Sequence, residues 1–149
     1  MSLSEQIMEA MKTAMKSKDT MALQALRSVK SAILLAQTES GAKEALSETE
    51  ELKLLQKLVK QRKDSAAIFT EQGRADLADP EMAEAKVIEA FLPEQMSEEE
   101  VAKIIDEIIA QTGAASMKDM GKVMGMATGK LAGKSDSKTI STLVKQRLS

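Results

Sequence analysis

Apolar residues recur at intervals of three and four along nearly the whole chain. No stretch alternates apolar and polar with the Val, Ile and Thr enrichment of a half-buried strand. The pattern predicts an all-α protein. Leu3, Ile7, Met11 and Ala14/Met15 form the first stripe, opened by Ser2 and Glu5 at capping-box spacing, and predict a helix to about Lys18. Asp19 and Thr20 cap a second helix with the stripe Ala22, Leu26, Val29, Ile33 and Ala36, ending before Gly41. Ser47 and Glu50 box a third and longest helix through Leu52, Leu55, Leu58/Val59, Ala66 and Phe69, with Gly73 placed to stop it. Asp79-Pro80-Glu81 sets a cap, a first-position proline and a first-turn acid in order. A fourth helix is therefore expected from there through Met82, Ala85, Ile88 and Phe91, until Pro93 forbids continuation.

Beyond Leu92-Pro93-Glu94-Gln95 the pattern restarts. Ser97 and Glu100 box a fifth helix with Val101, Ile104, Ile105, Ile108 and Ile109, ended by Gly113. Ser116 with Asp119 starts a sixth, whose apolar positions are Met117, Met120, Val123/Met124, Ala127 and Leu131. After Gly133 a seventh begins near Asp136 or Ser137 and carries Ile140, Leu143, Val144 and Leu148. The expected architecture is two helical bundles, four helices over residues 1–95 and three over 96–149, joined at a Leu92-Pro93 hinge.

Composition then removes most familiar chemistry. Among 149 residues there is no Cys and no His, which excludes disulfide frameworks, Cys-rich zinc sites, Cys-His and Ser-His-Asp nucleophiles and His-ligated haem. No metal and no cofactor is expected. With no Trp or Tyr, and only Phe69 and Phe91, the ring platforms on which single-stranded nucleic acid stacks are missing, so any nucleic-acid binding must be electrostatic. Charge is unevenly spread: residues 1–95 carry −3, residues 96–112 carry −4 and residues 113–149 carry +5. The start mixes Glu5 and Glu9 with lysines and offers no unbroken apolar run, and no segment approaches transmembrane length, so a cytoplasmic protein is expected.

Within the basic segment, Gly121, Gly125, Gly129 and Gly133 recur every four residues and sweep a bare stripe around about a third of a helix. Each interior glycine costs about 1 kcal/mol relative to alanine. The stripe suits close approach of either a neighbouring helix or a phosphate backbone. Gly133-Lys134-Ser135 invites a phosphate-loop reading, but the glycine that motif needs five positions before its Gly-Lys pair is Thr128, and the spacing fails. On the third helix Arg62 follows Leu55 and Leu58/Val59 at helical spacing, and Arg27 sits between Leu26 and Val29. Both read as buried stems with a paired head, or else as anion sites, while Lys60 and Asp64 are set for an i,i+4 pair. The acids Glu48/Glu50/Glu51 and Glu98/Glu99/Glu100 occupy first turns, where the helix dipole favours them. No carboxylate pair is placed for acid and base work, and no catalytic residue is assigned.

Three segments, KLVKQRKDS (57–65), GRADLADPEMAEAKVIEAFLPEQMS (73–97) and GAASMKDMGKVMGMATGKLAGKSDSKTISTLVKQRL (113–148), with LRSVKSA at 26–32, together resemble the YqeY, or GatB/YqeY-domain, family. The resemblance implies four helices followed by three. The C-terminal part is also similar to the tail domain of GatB, a subunit of the glutamine-dependent amidotransferase acting on misacylated tRNA. In that assembly the tail recognises the tRNA body and the chemistry belongs to other domains. The resemblance singles out Lys118, Gly121, Lys122, Val123, Met124, Gly133, Lys134, Asp136 and Val144, together with Lys60, Arg62, Asp64 and Leu92-Pro93. The run Lys134-Ser135-Asp136-Ser137 departs from the family's more frequent Arg-Ala-Asp-Gly-like run, replacing a bidentate fork with a point charge.

The first functional expectation is thus a non-catalytic tRNA-binding or amidotransferase-accessory protein. Lys118, Lys122, Lys130, Lys134 and Lys138 would contact phosphates, and the glycines at 121, 125, 129 and 133 would admit the backbone. Arg27, Lys60, Arg62 and Asp136 are held as structural or anion-binding positions. The alternative is a protein-protein adaptor presenting Met117, Met120, Met124 and Met126 to a partner helix. A carbon-nitrogen ligase with glutamine as amido donor follows from the family label alone. Neither a membrane nor a small-molecule substrate is expected.

Overall fold

The computed structural model describes residues 2–39 and 46–149, and every regular element among them is helical. The stop expected at Gly41 lies outside these residues. Contacts divide the chain into two compact units, Met1–Leu92 and Pro93–Ser149.

The first unit holds α1 (Leu3–Lys16), α2 (Thr20–Glu39), α3 (Glu48–Glu71) and α4 (Ala75–Glu89). Capping boxes open α1 and α3. Ser2 Oγ accepts from Glu5 N at 3.2 Å while Ser2 N donates to Glu5 Oε2 at 3.1 Å. Ser47 and Glu50 repeat the exchange at 3.2 and 2.8 Å, each satisfying orphan donors of a first turn. α1 closes at Lys16 rather than Lys18, because Lys18 takes a left-handed conformation (φ 58°) and Asp19 N reaches back to Ala14 O at 2.9 Å. That is a Schellman closure built on a lysine, where glycine is usual. Asp19 Oδ1 then accepts from Ala22 N at 3.1 Å and starts α2. Gly73 closes α3 in the same way, at φ 71°, with Arg74 N donating to Phe69 O.

α4 departs from expectation. It begins at Ala75, five residues before Pro80, so Asp79 is no cap and Pro80 lies inside the helix. At the sixth helical position the proline forfeits its own bond to the carbonyl of residue 76 and sets its ring against that carbonyl. Arg74 supplies no capping oxygen. Instead its guanidinium forks onto Asp76, Nε to Oδ1 at 3.0 Å and Nη2 to Oδ2 at 2.9 Å. α3 packs along α4, α1 on α2, and α2 on α4. Ile7, Leu26, Val29, Leu55 and Ile88 lie at the bottom of the shared core. Burial of such side chains, at about 25 cal/mol per Å² of apolar surface withdrawn from water, holds the helices together.

The second unit holds α5 (Glu98–Thr112), a 3-10 turn (Met117–Asp119), α6 (Met120–Lys130) and α7 (Ser137–Leu148). Ser97 Oγ caps α5 through Glu100 N at 3.2 Å, and Gly113, left-handed at φ 68°, ends it. α6 starts later than its sequence suggests. Ser116 makes no side-chain cap, and Asp119 turns its Oδ2 back to Ala115 N at 3.0 Å, which tightens residues 117–119 into the 3-10 turn. Asp136 caps α7, accepting from Thr139 N at 2.7 Å. The core joins Val101, Ile105 and Ile108 of α5 to Val123 and Ala127 of α6, Leu131, and Ile140 and Val144 of α7. Residues 93–96 belong to this unit through the α6–α7 loop. Met96 N donates to Lys134 O at 2.9 Å, and Gln95 Nε2 donates to Gly133 O at 2.6 Å.

Candidate functional site

The lysines expected to meet phosphate all belong to the second unit. Lys118 is on the 3-10 turn, Lys122 and Lys130 are on α6, Lys134 is in the loop after it, and Lys138 is in the first turn of α7. All five are exposed, and none forms an ion pair with a described residue. An ammonium left wholly to solvent, with no partner to displace, is the state in which phosphate binding costs least.

Three of the four glycines are open to solvent. Gly121, Gly125 and Gly129 are exposed, and a methyl group added at any of them would meet nothing within 4 Å. The stripe therefore is not explained by a helix packed against it, one of the two approaches its spacing allowed. Val123 and Ala127, fully buried, mark the opposite side of α6. At 100° per residue, Lys122 projects about 20° beyond Gly129, at the edge of the arc that Gly121, Gly125 and Gly129 sweep. Gly133 differs: it is buried, at φ 76°, with its carbonyl held by Gln95, and it turns the chain out of α6 without offering an open backbone.

The remaining expected positions are structural. Asp136 is spent on its cap. Lys60 pairs with Asp64 at 3.0 Å on the solvent face of α3. Arg62 is a buried stem with a paired head: its Nη1 donates to Leu58 O at 3.2 Å and its Nε lies 3.3 Å from Glu84 Oε2. That contact lacks hydrogen-bond alignment. Arg27, read in the same way from its neighbours, is instead exposed on α2, because Ala25, Leu26 and Val29 take the inward arc and leave position 27 outside it. Of the methionines offered as an adaptor surface, Met120, Met124 and Met126 pack against the core, and only Met117 stands exposed.

Two further features were not drawn into the expected site. Lys145 is also exposed and without an ion pair to a described residue, and it lines a groove with Met117, Thr142, Gln146 and Ser149. Its i,i+7 relation to Lys138 along α7 was the available signal. Arg147, by contrast, is drawn onto Asp106 of α5 at 2.6 Å. The second feature is charge balance: residues 93–149 hold eight Lys/Arg and eight Asp/Glu, so the unit is neutral and polarised, its acids concentrated on α5 and its lysines on α6 and α7.

In the first unit, carboxylates respond to their surroundings. Hydrogen bonds from the Ser47 N–H and hydroxyl hold Glu50 below the usual carboxylate range. The Arg74 fork lowers Asp76, and Asp76 in turn raises the Arg74 guanidinium. Burial, followed by the nearby Glu48 charge, raises Glu51. Among the described residues no group of three or more His, Cys, Asp or Glu could hold a metal ion, and no helix is long and apolar enough to cross a membrane.

An all-α protein of two helical units, the second presenting unpaired lysines around an open glycine face, is the class that fold and site define. The chain belongs to the YqeY-like protein family, whose pattern it matches over residues 4–148. It is similar to one subunit of the glutamyl-tRNA(Gln) amidotransferase of Thermococcus gammatolerans, 42% identical over 73 residues, covering 46% of this chain and 12% of that relative. It is also similar to two yeast proteins named altered inheritance of mitochondria protein 41, mitochondrial. The one from Clavispora lusitaniae is 39% identical over 82 residues, covering 55% of this chain and 46% of the relative. The one from Meyerozyma guilliermondii is 35% identical over 125 residues, covering 80% and 65%. The chain thus spans less than two thirds of the length of each of these relatives.

Proposed function

We propose that this protein binds tRNA without catalysing a reaction on it, and that it serves as an accessory to a tRNA-dependent amidotransferase. The observation that carries the reading is the set of exposed lysines, none ion-paired with a described residue, in the same unit as the open glycine face of α6. Lys118, Lys122, Lys130 and Lys138 supply cations, and the missing side chains at positions 121, 125 and 129 let a sugar-phosphate strand approach the helix more closely than any other residue would allow. Similarity to a tRNA amidotransferase subunit supports the choice of tRNA and of an amidotransferase partner. The acids of α5 keep the unit neutral, so binding is confined to one face rather than spread over the surface.

The adaptor reading is not favoured, since three of its four methionines are occupied by the core. The test is titration of labelled total tRNA with the whole chain, with duplex DNA as competitor. Saturable binding that DNA does not compete away supports the proposal. Absence of binding, or equal binding to DNA, contradicts it.

A further inference from the structure

The groove between the 3-10 turn and α7 sits on the same unit as the glycine face but on a different helix. Met117, Thr142, Lys145, Gln146 and Ser149 line it. Its apolar wall is Met117, 46% exposed. Two of its hydroxyls have their protons committed: Thr142 Oγ donates to Lys138 O at 2.9 Å and Ser149 Oγ to Gln146 O at 3.5 Å. The donors that remain are the Lys145 ammonium and the Gln146 amide, neither of which has a side-chain partner among the described residues. Lys138 stands two turns before Lys145 on the same face of α7, and Lys118 lies next to Met117. Two acidic side chains on the neighbouring elements have partners. Asp106 is paired with Arg147, and Asp119 is folded back onto Ala115 N.

Lys134 stands in the opposite situation. Its carbonyl is bonded to Met96 N, two residues before the run Glu98-Glu99-Glu100 that opens α5. Three carboxylates thus begin two residues after the segment that Lys134 is bonded to. Negative charge so placed opposes an incoming phosphate.

The geometry points to the Lys145–Gln146 groove as a seat for a backbone phosphate of base-paired RNA, with Lys145, and not Lys134, as a principal contact. This inference rests on the proposed RNA binding and assigns its place. The preference for paired over unpaired RNA comes from what the second unit lacks. Both phenylalanines, Phe69 and Phe91, belong to the first unit. The one arginine of residues 93–149, Arg147, is held by Asp106. No ring or free guanidinium plane remains to stack an unpaired base. A helical backbone asks for cations and amide donors, and Lys145 and Gln146 bring one of each to the groove.

The experiment measures binding of the full chain and of its Lys145→Ala, Lys145→Glu and Lys134→Glu variants to an RNA hairpin, an unpaired RNA of equal length and a DNA duplex, across a salt series. Circular dichroism and urea unfolding check each fold. Lys145→Glu is expected to weaken hairpin binding by about tenfold, and Lys145→Ala to flatten the log K against log salt slope by about one. Lys134→Glu should change affinity less than about threefold, and the hairpin should outcompete both other ligands. If wild type binds the hairpin but the Lys134 variant loses more than the Lys145 variants, or unpaired RNA or duplex DNA binds as well, the inference is overturned. Failure of wild type to bind any RNA would overturn the proposed function as well, and so is distinguishable.

Discussion

Arg62 of α3 and Glu84 of α4 meet across the helix pair with Nε 3.3 Å from Oε2, their side chains only 13% and 15% exposed. Arg62 also donates to Leu58 O, so its charge is held from two sides within largely dehydrated surroundings. A pair of this kind costs more to break than it contributes when intact, because either partner left alone is a buried charge without compensation. Replacing Glu84 with Ala should therefore destabilise the first unit by about 2–3 kcal/mol. The exposed pair Lys60–Asp64 should yield under about 0.5 kcal/mol on Asp64→Ala. Urea unfolding of the two variants compares them directly. Equal losses would mean that the Arg62 head is as hydrated as that of Lys60.

Lys18 closes α1 in a left-handed conformation. A residue with a Cβ bears roughly 1–2 kcal/mol there, against which glycine bears its own entropy cost of about 0.5–1 kcal/mol. Lys18→Gly is expected to stabilise the protein by about 0.5–1 kcal/mol, read as a rise in the urea midpoint. A fall would mean that the lysine side chain makes a contribution its exposure conceals.

Gly125 and Gly113 should respond oppositely to alanine. At Gly125 the added methyl meets nothing within 4 Å and the backbone is helical, so Gly125→Ala should add up to about 1 kcal/mol of stability. At Gly113 (φ 68°) the same change should cost about 1–2 kcal/mol. If the open face admits a strand, the Gly125 variant will be more stable and yet bind tRNA more weakly. A more stable variant with unchanged binding would remove the glycine face from the site.

Three carboxylates set an acid dependence with two signs. Glu50 and Asp76 are lowered on folding, so their stabilisation is present above the unfolded carboxylate range near about 4 and is lost as pH falls through their folded values. Glu51 is raised, so its contribution is present below that range and lost as pH rises through its folded value. Ser47→Ala should shrink the loss of stability on acidification, and Glu51→Gln should stabilise at neutral pH but give no advantage at about pH 3, below the carboxylate range. Urea midpoints at the two pH values test both.

Much of the fold is legible in the chain because its signals are local and agree with one another. The serine caps at 2, 47 and 97, the glycine stop at 73 and the three-four spacing each name the same helices. The errors arise where two local signals compete. Asp79-Pro80-Glu81 has the chemistry of a helix start, yet a helix already under way from Ala75 loses only one hydrogen bond there. Ser116 and Asp119 have box spacing, yet the Asp119 carboxylate is bonded to Ala115 N and a 3-10 turn results. The site was legible as residue types and hardly as geometry. Periodicity could list the glycines but could not say that three face solvent and the fourth is buried. It placed Arg27 and Arg62 alike, although only α4 brings a carboxylate to one of them. Lys145 gained its meaning only when α7 came to lie against the 3-10 turn.

The salt dependence of tRNA binding to the intact chain tests the central claim most directly. Five phosphate contacts predict that log K falls linearly with log salt at a slope of roughly −4. A slope near zero, with binding that survives high salt, would contradict the account and leave the lysines as a solvated face.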